Sequence, residues 1–200
     1  LISAFLSLSL IPVFIVALIS SIEYTRASES KIEDYSSQLI VQTMGKLDVF
    51  LENIENLSLQ IVASTEMQQL LDEMYRDDPE IIGEHQARIE DIIGNIISSR
   101  NQIIGVNIVL TEWEGEIISG EKLTSAKDFY ESQEYGMLME NGSQPVWRST
   151  YVNKDPQAIY NHVLTCIRKI KSVQTGETLG YLIIGIKEFS LADMYSYLDL

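Results

Sequence analysis

Five side chains in the second half of the chain have the types that a small-molecule site needs: Tyr130, Tyr135, Trp147, Arg148 and Tyr151. Aromatic rings supply apolar walls with polar tips, and an arginine can grip a carboxylate through two parallel hydrogen bonds. Buried aromatics are also the ordinary filling of a core, so packing explains the same residues. No covalent chemistry accompanies them. The chain has no Gly-x-Ser-x-Gly, no His-Glu-x-x-His and no glycine-rich phosphate loop, and no residue is assigned a catalytic role. His85, in "GEHQARIE", lies on a helical pattern among acids, and His162 opens a strand. Neither has the partners that proton transfer requires. "DDPE" and "EWEGE" are acid-rich, but Ca²⁺ loops space their oxygen ligands more regularly around a turning glycine, so both read as solvated turns. No His, Cys and carboxylate groups converge legibly, so no metal or cofactor is expected in these residues. The single cysteine, Cys166, excludes an internal disulfide and any Cys-based zinc site. It reads as a small buried strand residue, because a reactive thiol needs an exposed cationic setting.

The elements that must position these residues follow from periodicity. From Ile32 onward, Ile32, Tyr35, Leu39, Leu47, Phe50/Leu51, Ile54, Leu57 and Ile61 recur at three- and four-residue steps, which predicts one long amphipathic helix. Its stripe can pack on its own domain or form a dimer seam, and Gly45 with the irregular 32–44 segment argues against a strict coiled coil. Ser64/Thr65 can cap a short helix through Tyr75. Asp78-Pro79 begins another, with Ile82, Ile89, Ile92/Ile93 and Ile96/Ile97 on its apolar face, ending near Ser99-Arg100-Asn101. The period then changes to two. Strands are predicted at Ile104–Leu110 and Glu116–Ser119 around a Trp113-Glu114-Gly115 turn, then at Val146–Val152, His162–Ser172 and Leu179–Glu188. Thr175-Gly176-Glu177 joins the last two as a hairpin. Asp128–Glu140 is predicted as one helix, broken by Asn141-Gly142, and Ser190 can cap a final helix. Short turns favour an α+β fold with one antiparallel five-stranded sheet and helices packed across it, an architecture of PAS-like type. In such a module the cover over the sheet, here Lys127–Tyr151, is where the aromatic and arginine group falls.

The chain opens on "LISAFLSLSLIPVFIVALIS", and the first charged residue is Glu23. A helix over 1–22 reaches roughly 33 Å, against a hydrocarbon core of about 30 Å, so a transmembrane anchor is expected. A cleaved signal peptide would need small residues at the cut, where Leu18, Ile19 and Ile22 are bulky. Acids outnumber bases over Glu23–Asp34, which favours an extracytoplasmic position for residues 23–200. The formal net charge of −15 argues against nucleic acid and against docking on anionic lipid.

The run from "PVFIVALISSIEYTRASESKIEDYSSQLIVQTMGKLDVFLENIENLSLQIVASTEMQQLL" through "NGSQPVWRSTYV" to "VLTCIRKIKSVQTGETLGYLIIGIKEFSLADMY" resembles the extracytoplasmic Cache sensor region of Gram-positive membrane sensor histidine kinases, the family partnered by AraC-type response regulators. The resemblance implies a transmembrane helix (1–22), a helical stalk and further helices (23–101), a membrane-distal PAS-like Cache module (102–189) and the start of a connecting helix (190–200). It further implies a homodimer in the cell membrane. A second Cache module, a second span, a HAMP linker and a kinase that uses ATP and Mg²⁺ would lie outside this stretch, with a cytoplasmic response regulator as partner. An extracellular ligand or binding protein would shift the packing of the stalk, and Leu47, Phe50, Ile54, Leu57 and Ile61 would pass that shift to the membrane helix. Amino-acid-binding Cache domains carry an Arg-x-Trp-Tyr pattern on the cover helix. Here Ser132-Gln133-Glu134-Tyr135 stands in the comparable stretch, and only the tyrosine matches. A chemoreceptor sensor, or a membrane-anchored interaction domain without a pocket, is the alternative.

Overall fold

The computed structural model describes residues 2–76, 79–111, 115–140, 142, 144–153, 158–160 and 162–188, and the side chains of 2–13 and 79–81 stand outside it. Asp78, the Trp113-Glu114 turn, Asn141 and the helix expected from Ser190 lie outside the described residues, as does part of the expected anchor over 1–22. Among the described residues no helix is long and apolar enough to cross a membrane.

The four-residue stripe folds as expected into α1 (Ile2–Val62), a single 61-residue helix. The molecule divides between Lys46 and Leu47 into two compact units. In the first, α1 leaves Ile32, Tyr35, Val41 and Met44 exposed. In the second, α1 continues into α2 (Thr65–Arg76) and α3 (Pro79–Ile97). Ser64 caps α2 by accepting from the Met67 amide at 3.5 Å, satisfying an orphan donor of the first turn.

The sheet follows: β1 (Ile103–Leu110), β2 (Glu116–Gly120), β3 (Val146–Val152), β4 (His162–Lys171) and β5 (Thr178–Lys187). All pairings are antiparallel, in the order β2-β1-β5-β4-β3. The Thr175-Gly176-Glu177 turn closes on Ser172, whose amide donates to the Glu177 carbonyl at 2.8 Å, and Gly176 takes φ +76°. An L-residue is disfavoured there, which is why glycine marks the turn.

Both faces of the sheet are covered. Ile54, Leu57 and Ile61 of α1, with Met67 and Leu71 of α2 and Ile89 and Ile93 of α3, pack on Val106, Ile108, Leu182, Ile184 and Cys166. Leu123, Phe129 and Leu138 pack on the other face, against Val109, Val163, Ile167, Tyr181 and Ile183. This explains why β1, "IIGVNIVL", is buried at every position: alternation sends its side chains to two cores rather than to core and water.

One expected element is corrected. The helix read over Asp128–Glu140 is two, α4 (Ala126–Tyr130) and α5 (Gln133–Glu140). Ser132 divides them. Its hydroxyl donates to the Phe129 carbonyl at 2.6 Å and accepts from the Tyr135 amide at 3.2 Å, ending one helix while capping the next. Ser125 starts α4 in the same way, accepting from the Asp128 amide at 3.1 Å and donating to its carboxylate at 2.8 Å.

Candidate functional site

Between β2 and α4 the chain crosses the sheet as a strap, Glu121–Ser125. Two glycines allow it to lie so close. A Cβ on Gly105 would stand 2.7 Å from the Glu121 nitrogen and closer still to its carbonyl oxygen; one on Gly120, at φ +85°, would meet the Ile104 oxygen at 2.5 Å. Asn107, fully buried on β1, ties the strap down. In the amide orientation that satisfies both groups, its nitrogen donates to the Glu121 carbonyl at 3.2 Å and its oxygen accepts from the Leu123 amide at 3.0 Å. From β3 and just beyond it, Tyr151 Oη donates to the Leu123 carbonyl at 3.1 Å and Asn153 Nδ2 to the Lys122 carbonyl at 3.0 Å. Glu116 holds the strap's two ends, pairing with Lys122 Nζ at 2.5 Å and accepting from the Ala126 amide at 2.5 Å.

Strap, helix junction and edge strand line a half-open cavity of about 760 Å³. Its lining comes from the strap (Lys122, Thr124, Ser125), the α4–α5 junction (Asp128, Glu131, Glu134) and β3 (Arg148, Tyr151). That volume is in the range that holds a small organic ligand. Arg148 Nε lies 3.4 Å from Glu134 Oε1, and its guanidinium carbon sits 3.8 Å above the Tyr151 ring centre. Burial pushes the Tyr151 hydroxyl above its ordinary range; Arg148 pulls it down and Glu134 pushes it up, to a smaller extent. The phenol therefore stays a donor, as its bond to Leu123 requires.

Of the five residues read as ligand contacts, the structure brings Arg148 and Tyr151 to this cavity. Tyr130 and Tyr135 instead join Phe129 and Tyr181 in a ring cluster with centres 5.0 to 6.2 Å apart, and Tyr130 Oη donates to the Leu110 carbonyl at 3.0 Å. Trp147 faces the other way, as strand alternation demands of Arg148's neighbour. Its indole donates to Glu55 Oε1 on α1 at 2.7 Å, and one strand inward Arg168 Nε donates to Ser58 Oγ at 2.7 Å. Of the stalk set, Ile54, Leu57 and Ile61 are core, Phe50 packs on its edge and Leu47 is half-buried.

Sequence reasoning missed the strap, Asn153 and the acids of the helix junction. The strap has no period to read, but Gly105 inside a strand was a usable signal, since such a glycine marks close backbone approach.

Cys166 is buried beneath the stalk helix, and burial pushes its thiol up to about 12, with Arg168 opposing less strongly. Since the thiolate is the nucleophile, a disulfide reagent at pH 8 is expected to label the native chain negligibly over an hour and the denatured chain fully. Rapid native labelling would contradict this packing.

No protein-family model matches the chain, and no curated protein matches it by sequence. Among solved structures the chain is similar to the ligand-binding domain of the Campylobacter jejuni chemoreceptor Tlp3 in complex with L-valine, at TM-score 0.63 and 16% identity, covering 85% of this chain and 65% of that one. It is similar to the ligand-binding domain of the Pseudomonas aeruginosa PAO1 amino-acid chemoreceptor PctC in complex with GABA, at TM-score 0.57 and 14% identity, covering 82% and 67%. The extracellular domain of a candidate histidine kinase, vpHK1S-Z8, matches at TM-score 0.56 and 13% identity, covering 78% and 57%. The fold is the one these ligand-binding and extracellular domains share. The chain spans 65% of the length of the Tlp3 domain.

Proposed function

We propose that this chain is the sensing region of a membrane receptor, and specifically of a two-component sensor histidine kinase. The observation that carries the reading is the cavity of about 760 Å³ roofed by the strap and α4–α5, on the sheet face opposite the stalk helix. In this reading residues 1–22 anchor the chain, residues 23–200 lie outside the cytoplasm, and the receptor acts as a homodimer through a response regulator. Occupancy of the cavity favours one packing of the stalk, by as much as the ligand's affinities for the two packings differ. The likeness to Tlp3 and PctC favours a chemoreceptor as the second reading.

A thermal-shift screen of the chain against sugars, amino acids, amines and organic acids tests the sensing role. A true ligand at a hundred times its Kd contributes about 2.7 kcal/mol, which raises the melting midpoint by roughly 5–10 °C. Absence of any shift across the panel overturns direct sensing in favour of the interaction-domain reading.

A further inference from the structure

The charges around the cavity are unevenly satisfied, and the imbalance selects a ligand class. Two cations line it. Lys122 is held by Glu116 at 2.5 Å, and Arg148 by Glu134 at 3.4 Å with its other surface over the Tyr151 ring. Glu134 is largely buried, its side chain 19% exposed, so it is a fixed neighbour of the guanidinium. Asp128 accepts from the Ser125 hydroxyl, and among the described residues neither it nor Glu131 has an ion-pair partner. An incoming carboxylate on Arg148 would meet the Glu134 carboxylate already paired with Nε, and would sit beside Asp128 and Glu131, which have no ion-pair partner among the described residues. An incoming ammonium displaces nothing.

We infer that Glu134 is a resident carboxylate whose charge offsets Arg148, so that the cavity, with Asp128 and Glu131 on its wall, selects an organic cation over an organic anion. This rests on the cavity being the sensing site. It makes Glu134 a specificity-determining residue, one that touches the arginine whose charge it offsets.

Three probes of matched length separate the charge classes: 1,4-diaminobutane, 4-aminobutyrate and succinate, each titrated against the chain by thermal shift and calorimetry. The wild-type protein is expected to bind the diamine at least tenfold more tightly than succinate, with 4-aminobutyrate between them. Glu131→Gln, at an exposed position, is expected to weaken the diamine several-fold without moving the unliganded melting midpoint. Glu134→Gln is expected to reverse the order: it removes the negative charge beside Arg148, so succinate binding appears and rises tenfold or more. Succinate binding to the wild type as tightly as the diamine overturns the charge assignment and leaves the sensor reading standing. Failure of all three probes on wild type and on a folded Glu134→Gln overturns the charge assignment, whereas the sensor reading falls only if the wider panel also gives no shift.

Discussion

Gly105→Ala is expected to lower the melting midpoint by about 6–12 °C and to abolish any ligand-induced shift. The new methyl would enter the Glu121 backbone, where the nearest nitrogen is 2.7 Å away. A flexible side chain could swing aside at small cost, but backbone cannot. This backbone is also held by Asn107 from β1 and by Tyr151 and Asn153 from the far edge. Overpacking a fixed site costs typically ~1–3 kcal/mol, and a site with no relaxation path belongs at the upper end. At roughly 2–4 °C per kcal/mol for a unit of this size, the shift follows. Gly136→Ala is the control, because a Cβ there meets nothing within 4 Å and lies within α5; it should hold or raise the midpoint. A fall of less than 2 °C for Gly105→Ala would mean that the strap slides freely, and the account of how the cavity is built would fail with it.

That dependence on one glycine shows where sequence reading reaches and where it stops. Period and turn chemistry are local, so β3 is Val146–Val152 as read, β1, β2 and β4 differ by one residue at one end, and β5 by one residue at each end. The Ser64 cap and the Gly176 hairpin were legible for the same reason. The split of α4 from α5 was missed because Ser132 interrupts a helix by competing for its backbone, a signal smaller than the apolar run around it. Expecting Trp147 beside Arg148 at one site overlooked alternation: consecutive strand residues face opposite sides, and Trp147 reaches Glu55 on the stalk helix. Tyr130 and Tyr151 have the same chemistry, yet one closes a ring cluster and the other lines the cavity. Only the packing of the strap over the sheet separates them, and that packing comes from residues distant in sequence.

The second large effect concerns the stalk stripe, which reads as one periodic pattern but meets two environments. Ile61 is wholly buried against the sheet, whereas Ile32 is 62% exposed. Ile61→Ala is expected to cost ~2–5 kcal/mol, because the removed methyls leave a void between α1 and strands that cannot collapse around it. Ile32→Ala is expected to stay within about 0.5 kcal/mol, as for most exposed substitutions. Denaturant melts of both variants, with unchanged slopes, give the comparison directly. If the proposed sensor function holds and the exposed part of the stripe carries the signal, Ile32→Ala and Tyr35→Ala in the full-length receptor should also reduce its ligand-dependent output while leaving the sensor as stable as before. A stable Ile61→Ala would detach the upper helix from the core. Unaltered output from the Ile32 and Tyr35 variants would remove the lower helix from the signalling route and leave it a spacer, since a residue that neither stabilises the fold nor biases the two packings has no means of transmitting occupancy.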